Sequence, residues 1–180
     1  MISIQATPPQ RKINEAMYIQ EPMEDYLKKR PQKKVFQKEE IVRLRNKAID
    51  KIKTRLLPDS KIIKIILIGS SLKKSFGKYE SPGFRGSLFS DFDFIVFVEN
   101  DYKIPQWLDK EPDGKPFPDD TMNVAYRNKN FVENKHDVEI FFMRKTNMQN
   151  PKIQRLGELA GIPFTSNSKN NHLIVYSKKR

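Results

Sequence analysis

Asp91 and Asp93 lie two residues apart in the run Leu88-Phe89-Ser90-Asp91-Phe92-Asp93-Phe94-Ile95-Val96-Phe97-Val98. In an extended chain, residues two apart project to the same side. Two carboxylates would therefore stand together on an otherwise apolar strand. Like charges that lose hydration side by side are costly unless a cation lies between them. A third acid sits in another apolar run, Val138-Glu139-Ile140-Phe141-Phe142. Upstream, Ile62-Ile63-Lys64-Ile65-Ile66-Leu67-Ile68 stops abruptly at Gly69-Ser70-Ser71. A glycine turn leaving a strand exposes backbone N–H groups that suit phosphate. A phosphate-sized turn with three strand-borne acids suits metal-assisted chemistry on a nucleotide, in which paired cations neutralise the triphosphate and align the attacking oxygen.

The elements that must position these residues follow from periodicity. Ile41, Leu44, Ala48, Ile52 and Leu56 recur at spacings of three and four, which predicts an amphipathic helix over residues 39–57, ended by Pro58. Isoleucine-rich residues 61–68 read as a buried strand. Ser70 is a suitable N-cap for a short helix over 71–76. Residues 77–89, with Gly77, Pro82, Gly83 and Gly86, read as a loop. Strands are expected at 91–99 and 136–144, with weaker ones at 124–127 and 131–133. Residues 100–120, rich in Pro, Asp and Lys around Trp107, form a surface excursion. A helix is expected from Asn150-Pro151 to Ala160, stopped by Gly161, and then an edge strand over 172–177. Residues 1–36 are polar and broken by Pro8, Pro9, Pro22 and Pro31, an arm with at most a short helix near 24–30. The expected fold is α+β, a mixed β-sheet with flanking helices, in a single domain over 37–180.

Composition narrows the chemistry. The 180 residues suffice for one core, and 31% of them are charged. The absence of cysteine excludes disulfides and thiolate zinc sites, and it fits a reducing compartment. With only His136 and His172, a histidine-rich metal site is also disfavoured. Carboxylate oxygens remain, and these favour Mg2+ or Mn2+. The formal charge of +12 draws polyanions, although scattered lysines equally suit a solvated surface. No apolar run reaches membrane-spanning length, and MISIQATPPQRK lacks the order of a secretory signal, so a cytoplasmic protein is expected. A Gly-x-x-x-x-Gly-Lys phosphate loop and a Gly-x-Ser-x-Gly elbow are both missing.

The Gly-Ser turn after a strand, the Asp-x-Asp strand between hydrophobic residues and the later strand-borne acid together resemble the DNA polymerase β-like nucleotidyltransferase superfamily. The resemblance spans about residues 40–145, with Ser90-Asp91-Phe92-Asp93-Phe94 close to the usual signature. It implies transfer of a nucleoside monophosphate from a nucleotide triphosphate to a hydroxyl. It also implies two Mg2+ ions, or Mn2+, on Asp91, Asp93 and a third acid, and a triphosphate held at Gly69 and Ser70. Ser71, Lys73 and Arg85 extend that nucleotide-binding set, with Lys74 and Lys78 on the same loop. Twenty residues separate the Gly-Ser pair from Asp91, where the family usually has about ten; loop insertions of this kind cost little. The third acid is Glu139, which lies between Val138 and Ile140 as in the family, or Asp137 on the same strand face. Small stand-alone members resemble the nucleotidyltransferase halves of toxin–antitoxin pairs, so the implied acceptor is an RNA or a partner protein. The competing reading is a catalytically idle scaffold of the same fold that binds nucleic acid through its basic surface.

Overall fold

The computed structural model describes residues 31–82, 86–110, 125–151 and 172–179, all within the compact unit Pro31–Arg180. The described elements run β1 (Lys33–Val35), α1 (Lys38–Leu56), β2 (Ile62–Ile68), β3 (Gly77–Tyr79), β4 (Phe92–Val98), β5 (Asp109–Lys110), β6 (Ala125–Val132), β7 (His136–Arg144) and β8 (Leu173–Ser177). Six strands form one sheet in the order β5-β6-β7-β4-β2-β8. Strands β4 and β7 pair in parallel and every other neighbouring pair is antiparallel, so the sheet is mixed and the class is α+β. Strands β1 and β3 form a separate two-stranded ribbon.

The central strands are apolar on both sides because both sides are covered. Phe92, Phe94, Val96 and Val98 of β4 join Val138, Ile140 and Phe142 of β7 on one face. The stripe Ile41, Leu44, Ala48, Ile52 and Leu56 of α1 seals that face. Burial of each such aliphatic side chain contributes about 2 kcal/mol. Glu39 and Glu40 in the first turn and Lys53 and Arg55 in the last complement the helix dipole. The intervening residues Ile95, Phe97, Phe141, Met143, Ile66, Ile68 and Ala125 form a second cluster on the opposite face. Asp93, Glu139 and Arg127 belong to this second face by alternation, at the end of its apolar strip.

Helix α1 also fixes the β6–β7 hairpin. Arg43 and Lys47 both pair with Glu133 in the turn, and Lys51 Nζ donates to the Phe131 carbonyl at 2.6 Å. Glu133 and Asn134 have φ of 52° and 54°, and Lys135 N–H closes the turn on the Val132 carbonyl. The hairpin that carries Arg127, Asp137 and Glu139 is thus tied to the helix.

Three local expectations change. Residues 71–76 form no helix: the Gly69 and Ser70 carbonyls accept from Leu72 and Lys73 in a single tight turn, and Lys74 at φ 56° ends it. Gly77–Tyr79 is a strand rather than loop, paired with Lys33–Val35. A Cβ at Gly77 would sit 2.0 Å from the Lys34 carbonyl oxygen, so the ribbon closes only around glycine. The two weak strands expected at 124–127 and 131–133 are one strand, β6, whose register shifts between Asn128 and Val132. The expected helices at 24–30 and 150–160 fall wholly or almost wholly outside the described residues, as does the second half of the 100–120 excursion.

Candidate metal centre

Strand register builds the site. Ile68 pairs with Asp93, Asp93 with Glu139, and Glu139 with Arg127, a single row across β2, β4, β7 and β6. Neighbouring strands lie about 4.8 Å apart, so residues in one row are brought into side-chain reach. Asp91, just before β4, completes the group. Ligand oxygens of Asp91, Asp93 and Glu139 all lie within 4.8 Å of one another. Asp91 and Asp93 are half-buried and Glu139 is buried.

Asp137 stays outside that group and has a different task. Its Oδ1 accepts from Asn130 N–H at 2.8 Å, and its Oδ2 accepts from Arg127 Nη1 at 2.9 Å. The register shift in β6 explains the first contact: Asn130, at φ 54°, turns its N–H inward to Asp137. Of the two acids left open by the sequence, Glu139 is the one that converges with the aspartates.

Arg127 was not singled out from sequence. Its side chain is only 5% exposed, and its Nη2 donates to Asp91 Oδ2 at 3.1 Å and to Glu139 Oε2 at 3.0 Å. One guanidinium therefore binds three carboxylates, two of them in the converging set. Its only sequence signal is period two: Ala125 and Arg127 share a face, and Arg127 falls opposite Glu139 once the hairpin register is known.

The turn after β2 abuts this corner. Gly69 has φ 86°, and a Cβ there would sit 2.1 Å from Asp93 Oδ2. Glycine is required both by the backbone and by the approach of the carboxylate. Ser70 is half-buried, and its carbonyl accepts from Lys73 and Ser75. Ser71 is buried, and its Oγ has no hydrogen-bond partner among the described residues. Lys73 and Lys74 are exposed, and no ion pair among the described residues involves Lys73. Arg85 lies outside the described residues.

Ser90 and His136 hold the start of β4 from the other face. Ser90 N–H donates to the Gly77 carbonyl, and Ser90 Oγ accepts from Gly77 N–H at 3.1 Å and from Lys33 Nζ at 3.2 Å. The Ser90 carbonyl lies 2.8 Å from His136 Nδ1. The His136 ring packs among Phe36, Phe76, Phe89 and Phe92. Burial holds its pKa below the ordinary imidazole value, against the opposing pull of the Ser90 hydrogen bond. The residue is a buried anchor on the far side of the sheet from Glu139. Trp107 stacks on Phe131 with ring centroids 5.6 Å apart, in the anchoring role that its surroundings favour.

The donor set fits a hard cation. The three converging groups are carboxylates of like charge in a partly buried corner, and such oxygen donors suit Mg2+ or Mn2+. Beside the corner, a cleft of about 290 Å³ is lined by Leu88, Phe89, Lys129, Asn130, Lys135 and Asp137. Among the described residues, no helix is long and apolar enough to cross a membrane. No family model matches this chain, and no curated protein does so either.

Proposed function

We propose that this chain is a metal-dependent nucleotidyltransferase, moving a nucleoside monophosphate from a nucleotide triphosphate to a hydroxyl on RNA or protein. The observation that carries the reading is the convergence of Asp91, Asp93 and Glu139 within 4.8 Å, with Gly69 of the strand-exit turn against Asp93. Turn and acids are thereby adjacent, as a triphosphate and its counter-ions require. Divalent metal held by Asp91, Asp93 and Glu139, Mg2+ in the first instance, would neutralise the triphosphate and stabilise the pyrophosphate leaving group.

The remaining work falls to the chain. The Gly69-Ser70-Ser71 turn would offer backbone N–H groups and the Ser70 hydroxyl to the phosphate oxygens. The acceptor hydroxyl attacks the α-phosphorus; the new O–P bond forms as the bond to pyrophosphate breaks. Glu139 would take the hydroxyl proton. Lys129 and Lys135 line the neighbouring cleft and suit an acceptor that carries phosphate. The +12 charge favours such an acceptor at longer range.

The test is transfer of label from α-phosphate-labelled NTP, with Mg2+, to RNA or to protein in a cell lysate. Labelled product is expected, and the double substitution D91A/D93A abolishes it. A purified chain that binds NTP and Mg2+ yet labels neither acceptor class overturns the reading. One observation favours an idle scaffold instead: Arg127 already supplies a positive charge inside the acid group. That alternative requires RNA binding that is equal in chelator and in Mg2+, unchanged in D91A/D93A, and steeply salt-dependent.

A further inference from the structure

Arg127 sits where a cation bridging Asp91 and Glu139 would act. Its Nη2 takes one oxygen from each, at 3.1 and 3.0 Å, while Nη1 is held by Asp137 at 2.9 Å. Asp137 is itself fixed through Asn130 N–H, so the guanidinium is anchored from behind and presented to the acids in front. At 5% exposure this charge is taken out of water, a cost met only when its partners are well arranged. Three carboxylates, those of Asp91, Asp137 and Glu139, pair with this guanidinium.

We propose that Arg127 is a resident stand-in for one divalent cation: it holds Asp91 and Glu139 in place without metal, and it limits the metal-accepting corner to a single ion. The proposal rests on the nucleotidyltransferase reading only for the identity of the metal ligands. Arg127 acts through Asp91 and Glu139, so it is a positioning residue. Its replacement by a neutral side chain removes a positive charge from among the ligands. If Arg127 serves as a counter-ion, divalent metal then binds more tightly and takes over its structural task. If Arg127 merely scaffolds the acids, its loss disorders them and metal binds more weakly. The two roles predict opposite signs.

The experiment compares wild type, R127Q and R127K by thermal unfolding in chelator and in Mn2+, and by Mn2+ titration with electron paramagnetic resonance. Wild type should bind one Mn2+ per chain, with a small rise in Tm. R127Q should melt lower in chelator, recover with Mn2+, bind the ion at least about tenfold more tightly and take up a second, spin-coupled ion. R127K, which keeps the charge, should stay at one ion. R127Q that folds only when Mn2+ is present also supports the stand-in. Two ions in wild type, weaker or unchanged binding in R127Q, or R127Q that stays unfolded in Mn2+ each overturn it. Two ions in wild type, abolished by Asp93→Asn, would overturn the stand-in and leave the nucleotidyltransferase reading intact. No Mn2+ bound to either form overturns both the stand-in and the metal site.

Discussion

Gly69 lies against Asp93 so closely that a methyl group on its Cα would stand 2.1 Å from Asp93 Oδ2. Strand pairing imposes the contact: Ile68 is the register partner of Asp93, so the residue that leaves β2 must pass the carboxylate. The left-handed φ of 86° adds a second reason for glycine.

Gly69→Ala should therefore cost about 1–3 kcal/mol and push Asp93 out of the acid group. Urea unfolding measures the first effect. Mn2+ affinity measures the second, and it should fall by more than the stability loss alone explains. Unchanged metal affinity would show that the close approach has no bearing on the site.

Asp93→Asn and Glu139→Gln should differ although both remove one acid. Asp93 is half-buried, and its neutral amide should change stability by no more than about 1 kcal/mol while abolishing metal binding. Glu139 is buried and takes Nη2 of Arg127, so its amide should cost about 1–3 kcal/mol as well. Chemical denaturation beside Mn2+ titration separates the two; a loss below about 1 kcal/mol in Glu139→Gln would contradict the Arg127 contact.

Much of this corner was legible in sequence. The runs around β2, β4 and β7 are too apolar to be anything but buried strands. Asp91, Asp93 and Glu139 stand out as charges that such strands carry only at cost. Arg127 was not legible, because its role depends on the register of β6 against β7, and the segment 124–127 reads only as a weak strand. The helix expected over 71–76 failed for a local reason: Lys74 enters the left-handed region after one turn. The ribbon of β1 and β3 was missed because three-residue strands with lysines carry no periodic signal, and their pairing rests on backbone bonds between distant segments.

The pH dependence of stability should carry two separate signatures. The pKa of His136 lies below its unfolded value near 6.5, so the unfolded chain binds more protons in the window between the two. Stability from this residue is complete above about pH 6.5 and is lost as pH falls below it. His136→Phe should flatten that segment of the curve. Glu133, paired with Arg43 and then Lys47, is held down to about 2 from 4.5. Its contribution is present above about pH 4.5 and disappears as pH falls toward 2; Glu133→Gln should remove this lower segment alone. Denaturation midpoints between pH 2 and 8 test both, and an unchanged slope just below pH 6.5 in His136→Phe would remove the histidine from the account.

Ser90 links the ribbon to the acids. Its Oγ accepts the Gly77 N–H, its N–H meets the Gly77 carbonyl, and its own carbonyl faces His136, all one residue before Asp91. Ser90→Ala keeps the backbone bonds but leaves the buried Gly77 N–H without its hydroxyl partner, at a cost of about 1–3 kcal/mol. Because the loss lies on the face opposite Glu139, the effect on metal should pass only through the placement of Asp91. Mn2+ affinity should therefore fall severalfold, and the stoichiometry should stay the same. Ser90→Thr retains the hydroxyl and should restore part of both. If Ser90→Ala lowers stability and leaves metal affinity untouched, the ribbon supports the fold and has no part in positioning Asp91.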